Sequence, residues 1–509
     1  MTRSILRAER QGLRSRTARG LGWNLIGGLG AQPLTLLTTM ILARLLTPSD
    51  FGVVAMTSVL IGLAQMLNEF GLTSAIVQRP TLANEEVDSV FWFNMGMGLA
   101  LTAVAWLLAE PVARFYGQPA VAQILPIASL VFVISSLALV PHALLRRRID
   151  FRHPALAVII AAGVALVVSV SLALAGSGYW ALVIGNLAGA LASAFYLFVA
   201  ARWHPRLHCR WPELRAILRF GGTLSAATIV NYGSWNIDYL LIGRSLGSAP
   251  LGQYTLAFNL ASLPTRKFSW TVSAVLLPAF SRVQDEPDSF RRAYVQCVSY
   301  VALPAAIVLT AAAVLGEEAI LSLYGDQWSA AVAPFRVLCV AGVVTAVTTV
   351  MGLAFRGLNR PGRELLWSIV FFGASLLGVV AGLRAGAVGV AVGMTAAMIA
   401  SRVPAQLDAN RLVGVRPSAF AAALAPALAG TVAAALVALA GREVLLAFAT
   451  PPVVRLVVAG GLSVATAWLV VRASRLGRPA RDIEGFAADV WRRLVTRRGV
   501  AGVETTPEP

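Results

Sequence analysis

The sequence predicts an all-α integral membrane protein with about fourteen transmembrane helices. Three observations predict this fold class: the composition, the recurrence of long apolar stretches, and the distribution of the arginines. Of the 509 residues, 57% are hydrophobic and only 13% are charged, whereas about a quarter of the residues in a soluble protein are charged. Apolar stretches long enough to cross a hydrocarbon core of about 30 Å recur from Gly20 to Val471.

Turn residues divide these apolar stretches into predicted membrane spans, numbered here in chain order. Thr47-Pro48-Ser49-Asp50 and Asn359-Arg360-Pro361-Gly362 are two of the separating turns. The spans lie at 20–43, 51–73, 89–109, 120–141, 155–176, 179–201, 217–243, 251–280, 294–316, 331–355, 364–384, 386–407, 419–440 and 452–472.

The basic residues are unevenly distributed between the two sides that these spans define. The chain has 42 basic and 24 acidic residues, an excess that in a soluble protein would suggest a nucleic-acid partner. Here 33 basic residues lie in or beside the even-numbered loops and the two tails, seven in or beside the odd-numbered loops, and two in span 8. Basic loops are cytoplasmic, so both termini are expected in the cytoplasm, and no nucleic acid is expected to bind.

An internal repeat relates spans 1 and 2 to spans 7 and 8. A shift of 200 residues without a gap aligns identical residues that mark the same span boundaries. They include the pairs Arg19 and Arg219, Gly22 and Gly222, Arg44 and Arg244, Leu46 and Leu246, and Gly52 and Gly252. Six spans per unit is an even number, so both units enter the membrane from the same side. The repeat therefore predicts two six-helix lobes of parallel topology, with a substrate path between them.

The domain prediction follows from the spans, the repeat and the charges. A basic cytoplasmic leader at 1–19 is expected to stay attached, because no small-residue cleavage site follows it. The other predicted parts are an N-lobe at 20–201 (spans 1–6), a cytoplasmic linker at 202–216, a C-lobe at 217–407 (spans 7–12), two further spans within 419–472, and a cytoplasmic amphipathic helix with a disordered tail at 474–509.

Two adjacent cations, Arg266 and Lys267, lie near the middle of span 8. A charge at the bilayer centre costs several kcal/mol unless it faces a cavity or a partner. The pair supplies the positive charge and hydrogen-bond donors that a pyrophosphate group needs, so we consider it a candidate substrate site. The alternative is that span 8 extends past the bilayer and both side chains reach the lipid phosphates.

Two acidic residues are candidates for gating or for coupling to a proton or cation gradient. Glu69 lies at nearly the matching level of span 2 and could form an ion pair with Lys267, or it could simply end the span in the cytoplasm. Asp238 lies in the outer third of span 7, where it could couple transport to an ion or form a structural hydrogen bond.

Four polar residues of spans 1 and 7 are candidate ligands for sugar hydroxyls: Asn24, Gln32, Asn231 and Asn236. Polar residues in membrane helices also join neighbouring helices, and that alternative stays open. The repeat-related Arg44 and Arg244 are expected to anchor the outer ends of spans 1 and 7. The three cysteines are scattered and no CxxC motif occurs, so no metal site is predicted. No catalytic residue and no cofactor are predicted either.

Several segments resemble a known family. They are ILARLLTPSDFG at 41–52, FGLTSAIVQR at 70–79, LLRRRIDFR at 144–152, DYLLIGR at 238–244, PAFSR at 278–282 and YGDQW at 324–328. In this order they resemble the Wzx-type polysaccharide flippases, especially the colanic-acid and teichuronic-acid exporter branch of the MATE-related multidrug/oligosaccharidyl-lipid/polysaccharide flippase superfamily. The resemblance covers spans 1 to 12, whereas spans 13 and 14 match only in number and hydrophobicity.

The resemblance implies two six-helix lobes around a central cavity and a function in transport. It implies that a polyprenyl-pyrophosphate-linked oligosaccharide is moved from the inner to the outer leaflet of the bacterial plasma membrane by alternating access. Membrane lipids, a polysaccharide polymerase and glycosyltransferases are the partners it suggests. Two alternatives stay open: a multidrug or cation antiporter on the same fold, and a membrane-embedded glycan polymerase or ligase. The charge of Arg266 and Lys267 favours an anionic substrate.

Overall fold

The structure of the protein is a computed structural model that describes residues 22–23, 27–28, 30–69, 72–78, 83–208, 231–282, 286–358, 360–474 and 477–485. For residues 74–75, 78, 266–282, 353 and 361 it describes the backbone alone. The described residues form helices joined by short turns, and they contain no strand.

The helices are numbered in chain order. They are α1 (30–45), α2 (Pro48–Glu69), α3 (Leu72–Gln78), α4 (Asn84–Tyr116), α5 (Pro119–Arg147), α6 (Arg152–Leu174), α7 (Trp180–Ala201), α8 (231–246), α9 (Ser248–Arg282), α10 (Pro287–Val314), α11 (Gly316–Tyr324), α12 (Val332–Thr348), α13 (Met351–Gly357), α14 (Pro361–Gly382), α15 (Gly386–Val413), α16 (Pro417–Ala447), α17 (Pro452–Ala473) and α18 (478–485). Short 3₁₀ helices at Asp326–Ala331 and Leu383–Ala385 precede α12 and α15.

Ten stretches of the described residues are long and apolar enough to cross a membrane. One of them, Gly362–Val413, contains both α14 and α15. The predicted spans 1, 7 and 8 run through residues that are undescribed or described by backbone alone. The prediction of an all-α membrane protein is therefore confirmed, and the number fourteen stays a prediction.

The chain divides into two compact units, Met1–Thr255 and Leu256–Pro509. In the first unit, α4 packs on α5, α6 packs on α7, and α5 also packs on α2 and α7. Small and polar side chains hold these helices together at depth. The buried amide of Asn68 on α2 donates to the Phe132 carbonyl and the Ser136 hydroxyl of α5, at 3.3 and 3.2 Å. Such bonds satisfy polar groups that lipid cannot solvate.

The first turns of α2 and α9 contact each other reciprocally within the first unit. A Cβ at Gly52 would lie 1.8 Å from the Ser248 carbonyl oxygen, and a Cβ at Gly252 would lie 1.8 Å from the Pro48 carbonyl oxygen. Residue 52 thus faces residue 248, and its repeat mate 252 faces 48, the repeat mate of 248. This is the contact pattern of a two-fold axis, so the structure matches the repeat register read from the sequence. Glycine is required at both positions because the backbones are in contact.

The second unit is built around α10, which packs on α12 and on α16. Helices α16 and α17, which correspond to spans 13 and 14, pack together and against α10 through small side chains. The buried cluster contains Ala302, Leu303, Ala306, Ile307, Ala427, Ala434, Ala467 and Val471. Alanine lets the helix backbones approach closely, as is typical of packing in membranes.

Glycines bring α14 and α15 into backbone contact. A Cβ at Gly378 would lie 2.3 Å from the Gly393 carbonyl oxygen, and one at Gly382 would lie 2.2 Å from the Gly389 carbonyl oxygen. Two small residues on each helix therefore face two on the other, which sets the close crossing of this pair.

Candidate functional site

Among the candidate residues whose side chains the structure describes, Asp238 carries the most completely buried charged group. Its side chain is 0% exposed. One carboxylate oxygen accepts a hydrogen bond of 2.6 Å from the Tyr254 hydroxyl, and the other accepts one of 2.9 Å from the backbone N–H of Tyr239. Two neutral donors therefore bind the carboxylate, and among the described residues it forms no ion pair.

The surroundings of Asp238 connect α8 to α9, α4 and α2. The rings of Tyr239 and Tyr254 meet edge to face with centroids 5.9 Å apart. Five residues further along α8, Gly243 packs against the ring of Tyr116 and the side chain of Met56. A Cβ at Gly243 would lie 2.9 Å from Tyr116 and 3.2 Å from Met56. These contacts make Asp238 part of the packed interior of the first unit.

Arg244, on the last turn of α8, lies over the ring of Phe115 at 5.5 Å. A cation above an aromatic face is attracted by the ring quadrupole. This contact fits the anchoring role predicted for Arg244. The Asp238 carboxylate takes its donors from Tyr254 and Tyr239 instead.

A second contact of α8 joins it directly to α2. The Tyr232 hydroxyl donates to the Val59 carbonyl at 2.9 Å. Gly62 makes this possible, since a Cβ there would lie 2.2 Å from the same hydroxyl oxygen. Near the reciprocal glycine contact, the hydroxyls of Ser49 and Ser248 are 2.7 Å apart. A hydrogen bond thus accompanies the close approach at Gly62 and another accompanies the reciprocal contact of Gly52 and Gly252.

The predicted sugar ligands are only partly described. Asn231 is exposed on α8, Asn236 is half-buried, and Gln32 is half-buried on α1. The Asn236 amide donates to the Tyr232 carbonyl one turn back at 2.8 Å. Asn24 lies outside the described residues. Sugar binding by these four residues stays a prediction.

Arg266 and Lys267 lie on α9, where the structure describes the backbone alone. Glu69 is exposed at the last residue of α2. The structure does not describe the side chain of Lys267, so the predicted ion pair between Glu69 and Lys267 stays a prediction.

An ion cluster of the second unit was not predicted from the sequence. The Glu318 side chain, only 2% exposed, accepts a hydrogen bond of 2.7 Å from Arg442 Nε, and Arg455 Nη1 lies 3.7 Å from the same oxygen. Glu317 lies 3.3 Å from Arg442 and 3.9 Å from Arg336. These five residues, called here the Glu318 cluster, join α11, α12, α16 and α17.

The sequence did contain a signal for this cluster. Three of its members, Arg336, Arg442 and Arg455, belong to the seven basic residues in or beside odd-numbered loops, the side on which arginine is scarce. An arginine on that side is a candidate for a carboxylate partner, and Glu317 and Glu318 occur on the same side. Among the described residues, no group of three His, Cys, Asp or Glu is arranged to hold a metal ion.

A buried polar network joins α10 to α15 in the second unit. The Gln406 amide donates to the Tyr294 hydroxyl at 2.6 Å and to the Asn410 side-chain oxygen at 2.9 Å. Arg402, one turn earlier on α15, stacks on Phe371 of α14 at 4.8 Å. Arg402 lies within α15, which continues to Val413, beyond the end at residue 407 that was predicted for span 12.

Comparisons with known proteins add an independent observation. Residues 41–333 match a family model described as Polysaccharide biosynthesis protein. The chain is 30% identical over 364 residues to the succinoglycan biosynthesis transport protein ExoT of Rhizobium meliloti (strain 1021), which covers 71% of this chain and 73% of the relative. It is 27% identical over 354 residues to the lipopolysaccharide biosynthesis protein WzxC of Escherichia coli (strain K12), which covers 67% of this chain and 70% of the relative.

Solved structures of transporters share the fold. The structure described as lipid II flippase MurJ, inward closed conformation, has a TM-score of 0.71 at 14% identity and covers 89% of this chain and 99% of the other. An inward-facing multidrug resistance MATE family transporter has a TM-score of 0.60 at 16% identity, with coverage of 75% and 95%. Identities this low are evidence for the fold alone.

Proposed function

Because the chain belongs to the polysaccharide biosynthesis protein family, as its resemblance to the Wzx-type flippases predicted, we propose that it moves a lipid-linked glycan precursor across the plasma membrane. The observation that carries this proposal is the match to ExoT, a transport protein, over 71% of the chain. The shared fold with a lipid II flippase over 89% of the chain supports it. The protein is a transporter, and its function requires no catalytic residue.

The proposed substrate is an oligosaccharide on polyprenyl pyrophosphate, taken from the inner to the outer leaflet by alternating access. Arg266 and Lys267 are proposed to bind the pyrophosphate, since adjacent cations at membrane depth need an anionic or hydrated partner. Asn24, Gln32, Asn231 and Asn236 are proposed to bind sugar hydroxyls. A polysaccharide polymerase and glycosyltransferases are the proposed partners, because they would consume and supply such a substrate.

Asp238 is proposed to couple transport to a proton or cation. Its carboxylate is buried and held by neutral donors, so a proton or a small cation is the partner that could balance its charge. Gain of a proton would change the hydrogen bond with Tyr254, which joins α8 to α9. Glu69 is proposed as a gating residue at the end of α2, through an ion pair with Lys267 in one conformation.

The proposed location is the bacterial plasma membrane with both termini in the cytoplasm. The distribution of the arginines supports this orientation. Of the seven basic residues in or beside odd-numbered loops, three lie in the Glu318 cluster, where protein carboxylates balance their charge. Cysteine labelling in intact cells tests it. A membrane-impermeant reagent should label a cysteine at 177 or 249 and leave one at 288 unlabelled, and labelling of position 288 would exclude this orientation.

The transport proposal is tested in a deletion strain. Lipid-linked glycan should accumulate in the inner leaflet and return to normal when the wild-type gene is supplied. Leaflet location is measured by digestion with an impermeant glycosidase in intact spheroplasts and in inverted vesicles. Normal digestion in deletion spheroplasts would contradict the proposal. Unchanged glycan together with hypersensitivity to cationic drugs would instead favour the antiporter on the same fold.

A further inference from the structure

A small cavity lies in the second unit between α10, α16 and the start of α18. Its volume is about 180 Å³. Alanine, valine and proline side chains of α10 and α16 form its apolar wall. Its polar side is formed by Gln296, Ser299, Tyr300, Arg478 and Asp482. None of these residues has a role in the proposed transport function.

The sequence around the cavity indicates that it lies at the level of the lipid headgroups. The first two turns of α10 carry Asp288, Arg291 and Arg292, and the helix is apolar from Val301 onward. At 1.5 Å per residue, the polar side of the cavity lies about 14 to 20 Å from the start of α10, where the charged part meets the apolar part. Tyr300 lies at this boundary, as amphipathic aromatic residues do at membrane interfaces.

Two oppositely charged side chains, those of Arg478 and Asp482, lie at the cavity and can each bind a ligand. Arg478 Nε is 3.9 Å from a carboxylate oxygen of Asp482, and the two side chains are 77% and 43% exposed. An exposed pair at this spacing contributes little free energy, so each charge remains available to a ligand. The Tyr300 hydroxyl donates to Asp482 at 2.7 Å and fixes its position. The cavity therefore offers one cation and one oriented anion.

A buried hydroxyl and a helix N-terminus add to the cationic side. Ser299 is 4% exposed, and among the described residues its hydroxyl has no hydrogen-bond partner. A buried hydroxyl without a partner is unfavourable, so a ligand atom in the cavity would stabilise it. Arg478 is the first residue of α18, and its backbone N–H lies at the helix end that carries partial positive charge; Pro479, the second residue, has no N–H. These groups together suit a phosphate.

We propose that this cavity binds the headgroup of a zwitterionic phospholipid of the ethanolamine type. The phosphate binds Arg478 and Ser299 at the start of α18, and the ammonium binds Asp482. The volume of about 180 Å³ is several times the roughly 10 to 15 Å³ that one water molecule needs on this measure, so the cavity has room for the eight non-hydrogen atoms of phosphoethanolamine. The acyl chains follow the apolar surface of α16 that begins at Ala422 and Pro426 in the cavity wall.

Asp482 decides which headgroup fits. A lipid with a net negative headgroup and no ammonium would bring its phosphate near a carboxylate that it cannot neutralise. A headgroup with a primary ammonium satisfies that carboxylate and leaves the phosphate to the cation. The cavity therefore prefers phosphatidylethanolamine to phosphatidylglycerol of the same acyl chains.

Native mass spectrometry of the purified full chain, titrated with each of these two lipids, tests the proposal. The wild type should bind one phosphatidylethanolamine about tenfold more tightly than phosphatidylglycerol, since one hydrogen bond to a charged group distinguishes them. Asp482→Asn should lower phosphatidylethanolamine binding about tenfold and should not lower phosphatidylglycerol binding. Arg478→Gln should lower the binding of both lipids about tenfold. Arg416→Gln, an exposed arginine at the start of α16 outside the cavity, should change neither.

Equal binding of the two lipids by the wild type would overturn the assignment to ethanolamine. Binding that is unaffected by both Asp482→Asn and Arg478→Gln would overturn the site. If Asp482→Asn fails to fold, as judged by size-exclusion chromatography, Tyr300→Phe replaces it. That variant releases the carboxylate from its hydrogen bond and should lower the preference for phosphatidylethanolamine in the same direction by a smaller factor.

Discussion

Asp238 of the first unit and Glu318 of the second are both buried carboxylates, but their partners differ in kind. Glu318 lies among arginines, with Arg442 and Arg455 on one of its oxygens. Asp238 is bound by a tyrosine hydroxyl and a backbone N–H. Two arginines balance the charge of Glu318, whereas neutral donors leave the charge of Asp238 unbalanced among the described residues. The difference assigns a structural role to Glu318 and leaves Asp238 the candidate for a changing charge.

The largest expected effect comes from removing the charge of Glu318. Glu318→Gln leaves Arg442 and Arg455 beside a neutral group in a poorly hydrated site. Breaking a buried ion pair by removing one partner costs roughly 3 to 5 kcal/mol. We expect lower abundance in the membrane and a lower melting temperature of the purified protein, with normal export per folded molecule. Normal stability of Glu318→Gln would remove the distinction between the two carboxylates.

The next effect concerns cations whose proposed partner is the substrate. Replacing Arg266 and Lys267 together by Gln keeps the hydrogen-bonding ability and deletes both charges. Since a hydrogen bond to a charged group contributes roughly 1.5 to 3 kcal/mol, glycan export should fall at least about tenfold while abundance stays near normal. Export and abundance are measured in the same complemented deletion strain. Normal export by the double variant would favour the alternative that both side chains reach lipid phosphates.

Asp238→Asn gives the third effect and separates coupling from structure. The amide keeps the shape and can still accept from Tyr254, but it cannot gain a proton. We expect export to fall about tenfold, or about 1.4 kcal/mol, and its dependence on external pH to flatten, with abundance near normal. Tyr254→Phe is the complementary control, because it removes the hydrogen bond that Asp238→Asn keeps and leaves the carboxylate in place. A fall in abundance with unchanged export per molecule would mean that Asp238 is structural.

The smallest expected effect is that of Glu317→Gln, next to Glu318 in sequence. The Glu317 side chain is 51% exposed, and exposed ion pairs contribute about 0 to 1 kcal/mol. Its melting temperature should therefore lie close to that of the wild type. A fall in melting temperature as large as that of Glu318→Gln would show that all members of the Glu318 cluster contribute to stability, and not Glu318 alone.

The internal repeat shows that a sequence pattern can predict a tertiary contact. The pairing of Gly52 with Gly252 was read from a shift of the sequence on itself, and the structure brings these two helix starts into reciprocal contact. The pattern predicted this contact because two related segments keep the same contact positions. Helices that the repeat does not relate share no such positions, and the sequence therefore did not predict the Glu318 cluster, which joins α11, α12, α16 and α17.

The sequence by itself determined that most of this protein lies in lipid, that its helices span a membrane, which residues its repeat aligns, and to which family it belongs. These properties depend on local composition and spacing, because a chain in lipid must satisfy its backbone within each helix. Only the tertiary structure decided which charges meet. Arg442 reaches Glu318 from 124 residues away, and Tyr254 reaches Asp238 from the next helix. Such pairs depend on which helices pack together, and the local sequence of one helix does not specify its partner.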